Sequence, residues 1–133
     1  MKIYLDSVVL VYYLDHLGPF QVRAANRLAA LHAAGDVMVV SDVVRMECRM
    51  DPIRKGEAMR LDRFDGFFTH PDVQFIPITT AVFDRATRIR AIHNHKAVDS
   101  IHLAAAVEGG CDIFLTNDLR LSGFPDLMVE ILP

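Results

Sequence analysis

The segment AVDSIHLAAAVEGGCDIFLTND, residues 97–118, carries the clearest structural pattern in this chain. Its first half predicts a helix over about 97–108 that ends at the Gly109-Gly110 pair, because paired glycines interrupt helical structure. The run CDIFLT at 111–116 then predicts a buried strand, since it is short and apolar and is bounded by turn residues. The segment therefore predicts a helix followed by a strand. One acid, Asp99, lies at the start of the helix, and a second, Asp118, lies just beyond the strand.

The rest of the chain repeats this alternation. Short apolar runs predict further strands at 2–6, 37–40, 73–78 and 127–132. Caps and breakers such as Gly18-Pro19, Gly35 and Asp51-Pro52 bound helices at 7–17, 20–34, 42–50, 55–68 and 79–95. Fully apolar strands between helices indicate an α/β fold, a three-layer α/β/α sandwich around a mainly parallel sheet of four to five strands. Its 133 residues fit one domain, 1–133.

Composition excludes several classes of protein. The formal net charge is −3, so any binding of a polyanion must depend on a local basic patch or on a metal ion. The two cysteines, Cys48 and Cys111, are far apart and form no disulfide framework, which fits a reducing cytosol. Asp6 interrupts the apolar N-terminal run, and no apolar stretch reaches the roughly 18 residues of a membrane span. We therefore expect a cytoplasmic protein with no signal peptide and no membrane segment.

Four acids fall where the carboxyl ends of the predicted strands meet. Asp6 ends the first strand, and Asp118 follows the fourth. Glu47 lies in the second turn of the helix after the second strand, and Asp99 begins a later helix. Ligands of open α/β sheets bind beyond these strand ends, so side chains from four remote places are expected to converge. Carboxylates suit Mg²⁺ and Mn²⁺, and such ions activate water for attack on a phosphodiester, so the acids predict a metal-dependent nuclease.

Glu47 carries a further signal. It belongs to a set of residues spaced as one helical face, namely Val43, Met46, Glu47 and Met50. A carboxylate within an apolar stripe is costly unless it is paired or bound to a metal ion. The alternative to a metal ligand is an ion pair with Arg45 or Arg49.

Each of the other acids also has an ordinary structural explanation. Asp6 could cap the helix that follows it, because a strand-end acid can accept the first N–H groups of a helix. Asp99 could complement a helix dipole. Asp118 could belong to a simple Thr-Asn-Asp turn. Only the convergence of all four acids favours a common site.

Four segments of the sequence together resemble the PIN-domain ribonucleases, and in particular the VapC-type toxins of bacterial toxin–antitoxin pairs. These segments are KIYLDS, VVRMEC, KAVDSIHLAAA and LTNDLRL, in the order and spacing of that family. The resemblance covers residues 3 to about 131. It implies a PIN-like fold and an Mg²⁺- or Mn²⁺-dependent endoribonuclease that cuts RNA. It also implies a homodimer and a cognate antitoxin that blocks the site with its C-terminal segment.

The same resemblance implies roles for individual residues. Asp6 and Asp99 match the family's main metal-binding aspartates. Glu47 matches its helix glutamate, and Asp118 matches its last acid. Three further residues match polar positions around the metal site: Ser7, Thr116 and Asn117.

The chain departs from the family's usual pattern at Val8, where Asn or Ser is expected. Valine cannot make the hydrogen bonds that orient a ligating carboxylate, so metal affinity would be weaker unless Ser7 or Asn117 compensates. A catalytically weak PIN scaffold that binds RNA or protein therefore stays open as an alternative. A different metal phosphohydrolase is a third hypothesis, but no second aspartate stands two residues after Asp6, as aspartyl-phosphate enzymes require.

Two basic sets of residues and one group around the first helix break could contact partners. A basic stretch leads into Asp99, and it predicts either a phosphate-binding patch or, more simply, a solvated helix end: Arg85, Arg88, Arg90, His93, His95 and Lys96. A second basic set is predicted to be ordinary surface, with contact to RNA as the alternative: Arg45, Arg49, Arg54, Lys55, Arg60 and Arg63. Residues around the first helix break would pack in the core or line an antitoxin groove or a dimer contact: Tyr12, Tyr13, Leu17 and Phe20. His102, three residues past Asp99, is expected to be packed and hydrogen-bonded rather than a metal ligand.

Overall fold

A five-stranded parallel sheet forms the centre of the fold. The computed structural model describes residues 1–15 and 18–133. Its strands are β1 (Lys2–Leu5), β2 (Val37–Ser41), β3 (Val73–Ile76), β4 (Ile113–Thr116) and β5 (Met128–Ile131). They lie in the order β3-β2-β1-β4-β5, and every neighbouring pair is parallel. The predicted α/β class and parallel sheet are confirmed.

Helices cover both faces of this sheet. They are α1 (Ser7–Asp15), α2 (Gly18–Ala33), α3 (Asp42–Lys55), α4 (Ala58–Phe68), α5 (Thr80–His93) and α6 (Ala97–Glu108), with a short 3₁₀ turn at Leu119–Leu121. Because connections between parallel strands are right-handed, α1 to α4 lie on one face, and α5 and α6 lie on the other. The chain therefore forms the predicted three layers. Residues 16 and 17, which the predicted first helix included, lie outside the described residues.

The predicted end of the third helix at Met50 is wrong. Helix α3 continues through Pro52 to Lys55. Proline removes one helical hydrogen bond, but the Pro52 ring is buried, and Gly56 ends the helix in the left-handed conformation with a φ of 66°. Burial and a good terminal cap outweigh the local cost of the proline. Strand β3 is an edge strand that ends at Ile76, and this position suits the following Pro77 because proline cannot donate a hydrogen bond to a neighbouring strand.

Strand β1 is the buried central strand of the sheet, and Asp6 follows it at the carboxyl edge. Its Ile3, Tyr4 and Leu5 are fully buried. Tyr4 pairs in register with Phe114 of β4, and the two rings stack with centroids 5.2 Å apart. This packing fixes the position at which β1 ends, and the next residue is Asp6.

One arginine joins three helices beside this edge. The Arg60 guanidinium of α4 bonds both carboxylate oxygens of Asp15 at 2.7 and 2.9 Å and bonds Asp51 of α3 at 2.6 Å. The Asp15 side chain is only 8% exposed, so screening by water is reduced there. These bonds hold α3 against α1 and α4. Among the described residues, no helix has both the length and the apolar character needed to cross a membrane.

Two glycines provide a test of the packing at the end of α6. A Cβ at Gly109 would clash with Ile76 Cδ1 and lie 2.7 Å from its Cγ1, whereas a Cβ at Gly66, within α4, would meet open space. We expect Gly109→Ala to destabilise the protein by about 1–3 kcal/mol through overpacking. Gly66→Ala is expected to stabilise it by about 0.5–1 kcal/mol because alanine favours the helix. Urea denaturation measures both variants, and equal stabilities would contradict this account of the contact.

Candidate metal centre

All four predicted acids line one cavity at the carboxyl edge of the sheet. Its volume is about 370 Å³, and it is lined by Asp6, Ser7, Val8, Tyr12, Glu47, Asp99, Asn117, Asp118 and Leu119. The residue that follows β1, helices α1, α3 and α6, and the loop and 3₁₀ turn after β4 each contribute to its wall. The topology brings these side chains together because the ends of β1 and β4 are adjacent, and because α3 and α6 begin at the same edge.

Asp6 is the most buried acid of the cavity, with 8% of its surface exposed. Its Oδ1 accepts the Ser7 backbone N–H at 2.8 Å, and its Oδ2 accepts the Thr116 hydroxyl at 2.7 Å. Burial raises the pKa of Asp6 above its ordinary value, although His102 and these hydrogen bonds oppose the shift. The bond from Ser7 also makes Asp6 a partial helix cap, which is the ordinary structural role expected for a strand-end acid.

The polar residues after β4 shape the wall beside Asp6. Thr116 is fully buried, and its hydroxyl oxygen also accepts the Asp118 backbone N–H at 3.1 Å. Asn117 donates from its side-chain amide to the Tyr12 hydroxyl at 3.3 Å. Thr116 therefore connects the end of β1 to the loop that carries Asp118.

The environment of Glu47 differs from the prediction. Met46 and Met50 of the proposed apolar stripe are 57% and 53% exposed, and the buried face of α3 consists instead of Val44, Cys48 and Pro52. The stripe was a misleading pattern because α3 turns its other face to the core. Glu47 lies at the border between the two faces, with 32% of its side chain exposed.

Glu47 pairs with a histidine rather than with an arginine. His102 Nε2 lies 2.5 Å from Glu47 Oε1. The proposed pairing with Arg45 or Arg49 is therefore wrong, and Arg49 binds Asp65 at 2.7 Å. Spacing along one helix could not reveal this contact, because its partner lies 55 residues away on α6.

His102 is packed and hydrogen-bonded, as the sequence predicts. It is 1% exposed, and its Nδ1 lies 2.8 Å from the Tyr4 hydroxyl. The structure nevertheless brings it closer to the acids than sequence spacing indicates. One donor atom each from Asp6, Glu47 and His102 lies within 4.8 Å of the other two, which is close enough for a shared cation.

The remaining two acids lie on the cavity wall but outside this tight group. Asp99 is half-buried in the first turn of α6. Asp118 binds the Arg120 guanidinium at 2.6 and 2.9 Å, and this arginine lowers the pKa of the Asp118 carboxyl. Asp118 also accepts the Arg120 backbone N–H at 3.0 Å, which is the turn geometry that its sequence context predicts.

Much of the predicted basic surface is engaged in structural contacts. Arg85 pairs with Glu108 at 2.7 Å, and Arg90 donates to the His95 carbonyl at 2.8 Å. Phe124 packs in a T-shaped arrangement with both the His93 and His95 rings, with centroids 5.6 and 6.4 Å apart. These contacts favour the interpretation of this stretch as an ordinary helix end.

Cations still lie beside the acids. Lys96 acts electrostatically on Asp118, and Asp99 acts on Arg120. Tyr12, predicted for a core or partner surface, stacks on Phe20 at 4.7 Å. The predicted contribution of Leu17 lies outside the described residues.

The family model of the PIN domain matches residues 3–127. The chain belongs to the PIN-domain family. Comparison with curated protein sequences gives no match.

Solved structures of VapBC and VapC proteins share this fold over nearly the whole chain. VapBC2 from Rickettsia felis, bound to a promoter DNA fragment, has a TM-score of 0.83 at 16% identity, with 100% of each chain covered. DNA-bound VapBC from Salmonella typhimurium has a TM-score of 0.79 at 17% identity, covering 100% of this chain and 99% of the other. VapC20 from Mycobacterium tuberculosis, a toxin that cleaves the sarcin-ricin loop, has a TM-score of 0.73 at 16% identity, covering 95% and 98%.

The donors of this PIN domain fit a hard divalent cation. PIN nucleases use divalent metal, and carboxylate oxygens are the ligands that Mg²⁺ and Mn²⁺ prefer. Asp6 provides the structural observation, because a buried carboxyl with a raised pKa gains stability in its charged form when a cation is near. Asp6 and Glu47 are the donors in the tight group that best suit such an ion, and Asp99 stands on the same wall.

We expect Mn²⁺ affinity to fall as the pH is lowered, beginning above the ordinary titration range of an aspartate. Burial raises the pKa of Asp6, so a proton competes with the cation for this carboxylate at a higher pH than usual. Isothermal titration calorimetry at a series of decreasing pH values, starting from neutral pH, measures this competition. Asp6→Asn should abolish most of the binding, whereas Asp84→Asn, an exposed acid of α5, should not. Affinity independent of pH would contradict the role of Asp6.

The pair of Asp118 and Arg120 gives a second test. Arg120 neutralises Asp118 and competes with any cation for it. Arg120→Ala should therefore tighten Mn²⁺ binding, by up to about fivefold as expected for an exposed ion pair. Arg88→Ala removes the same charge from α5 and is the matched control. Binding by Arg120→Ala no tighter than that by Arg88→Ala would show that Asp118 does not face the cation.

Proposed function

We propose that this PIN domain is an Mg²⁺- or Mn²⁺-dependent endoribonuclease, the toxin of a VapC-type toxin–antitoxin pair. PIN domains are generally nucleases. The observation that carries the proposal is the cavity in which buried Asp6 stands with Glu47, Asp99 and Asp118. In this proposal the four acids are the catalytic set, and Asp6 and Asp99 are the principal metal ligands.

A bound divalent cation would supply a water of lowered pKa and positive charge for the phosphodiester. The side chains of the site would hold the acids in position. Ser7 and Thr116 hold the two oxygens of Asp6, and Asn117 is itself held by Tyr12. Positioning by such contacts accelerates phosphoryl transfer, because the attacking and leaving oxygens must be in line.

Basic side chains at the rim suit the RNA substrate. Lys96 and Arg120 lie beside the acids, and both can approach backbone phosphates. The net charge of −3 makes a local rather than a global attraction necessary.

The proposed partners are a cognate antitoxin and a second copy of the chain, in the cytoplasm. The similar structures from Rickettsia felis and Salmonella typhimurium are toxin–antitoxin complexes, which supports an antitoxin partner. Exposed apolar side chains along α3 offer a contact surface of the kind that protein partners cover: Met46, Met50 and Ile53.

Cleavage of a mixed RNA substrate tests the proposed activity. We expect cutting with Mg²⁺ or Mn²⁺, loss of cutting with EDTA, and a fall of at least about 100-fold in Asp6→Asn and Asp99→Asn, since the metal chemistry would be lost. Asp84→Asn controls for the loss of one exposed acid. Equal cleavage by the wild type and both site variants would overturn the mechanism.

A catalytically weak scaffold is the second candidate, and two observations favour it. Val8 places an apolar side chain on the cavity wall, and Arg120 already neutralises Asp118. A wild-type protein that binds Mn²⁺ and RNA but leaves the RNA intact would support the scaffold over the nuclease.

A further inference from the structure

A buried chain of hydrogen bonds leads from the sheet to Glu47. It starts at Ser41 of β2, passes through Tyr4 of β1 at 2.8 Å, and continues to His102 Nδ1 of α6 at 2.8 Å. His102 Nε2 then reaches Glu47 Oε1 of α3 at 2.5 Å. Ser41, Tyr4 and His102 are at most 1% exposed, so water does not compete for these bonds.

The direction of the last bond is fixed by chemistry. An ionised carboxylate only accepts hydrogen bonds, so the proton between Glu47 and His102 belongs to Nε2. With a neutral imidazole, Nδ1 accepts from the Tyr4 hydroxyl, and the Tyr4 oxygen accepts from Ser41. With a charged imidazole, Nδ1 donates to Tyr4, and Tyr4 donates to Ser41. In both cases Nε2 carries a proton and donates to Glu47.

A protonated Nε2 has no lone pair for a metal ion. For His102 to act as a ligand, Nε2 would have to lose this proton and its charge-assisted bond to Glu47. Nδ1 is occupied by Tyr4 on the side of the sheet. The short distances from His102 to Asp6 and Glu47 therefore need an explanation other than metal ligation by the imidazole.

We infer that His102, held by Tyr4 and Ser41, is a positioning residue that fixes the Glu47 carboxylate for the cation and does not itself bind the metal. One Glu47 oxygen is held by the histidine, and the second is left for the site. The inference rests on the proposed metal centre. Partners of this kind orient ligating groups, and their loss typically weakens metal binding about 10–100-fold.

Tyr4→Phe tests the role of the network in metal binding. The variant keeps the ring that stacks on Phe114 but removes the hydroxyl between Ser41 and His102. We expect the dissociation constant for Mn²⁺, measured by calorimetry, to rise about tenfold. Tyr13→Phe, in a different cavity, is the matched control and should bind as the wild type does.

A double-variant comparison separates positioning from general damage. If Tyr4 acts through Glu47, Tyr4→Phe should weaken Mn²⁺ binding far less when Glu47→Gln is already present. The same loss in both backgrounds would show that Tyr4 acts independently of Glu47, and it would overturn the inference.

Two spectroscopic measurements on the wild type do not depend on any variant folding. Nitrogen-15 NMR of the metal-free protein should show a protonated His102 Nε2, and an unprotonated Nε2 would contradict the network. Pulsed electron paramagnetic resonance of the Mn²⁺ complex should show no directly coordinated imidazole nitrogen, and such a coupling would make His102 a ligand.

Failure of the wild type to bind Mn²⁺ would overturn the metal centre itself, whereas binding unaffected by Tyr4→Phe would overturn only the positioning role.

Discussion

Asp6 carries its carboxylate to the buried end of the central strand β1, and the electrostatics of the whole site follow from this position. Asp6 follows a strand whose last three residues are fully buried, so its charge lies where water can offer little solvation. Ser7 and Thr116 each provide one hydrogen bond, but burial still dominates and raises the pKa of Asp6. A dication at this position removes the penalty, because it stabilises the ionised form directly. The same local electrostatics that disfavour the isolated charge therefore favour a metal centre.

The fold was largely predictable because its signals are local and repeated. Five apolar runs gave the five strands, and alternation with helices gave a parallel sheet with helices on both faces. The end of α3 was not predictable in this way. Pro52 is tolerated because its ring is buried and Gly56 caps the helix beyond it, and both features depend on tertiary packing.

The sequence predicted that the acids would lie in one cavity, but it did not predict the contacts that their side chains make. Strand order at one sheet edge suffices to bring Asp6 and Asp118 to one cavity. The partner of Glu47 could not be read from α3, because His102 comes from a different helix across the edge of the sheet. The pairing of Asp118 with Arg120 could not be predicted either, because the side chain of an exposed arginine two residues away has many possible orientations.

Anomalous diffraction from crystals containing Mn²⁺ would locate the cation among the acids of the cavity. Crystals grown with Mn²⁺ are predicted to give an anomalous peak bounded by the carboxylates of Asp6, Glu47 and Asp99, with His102 Nε2 still bonded to Glu47. A peak on the imidazole nitrogen would contradict the assignment of His102. A cavity without any peak, at Mn²⁺ concentrations that support RNA cleavage, would contradict the metal centre itself.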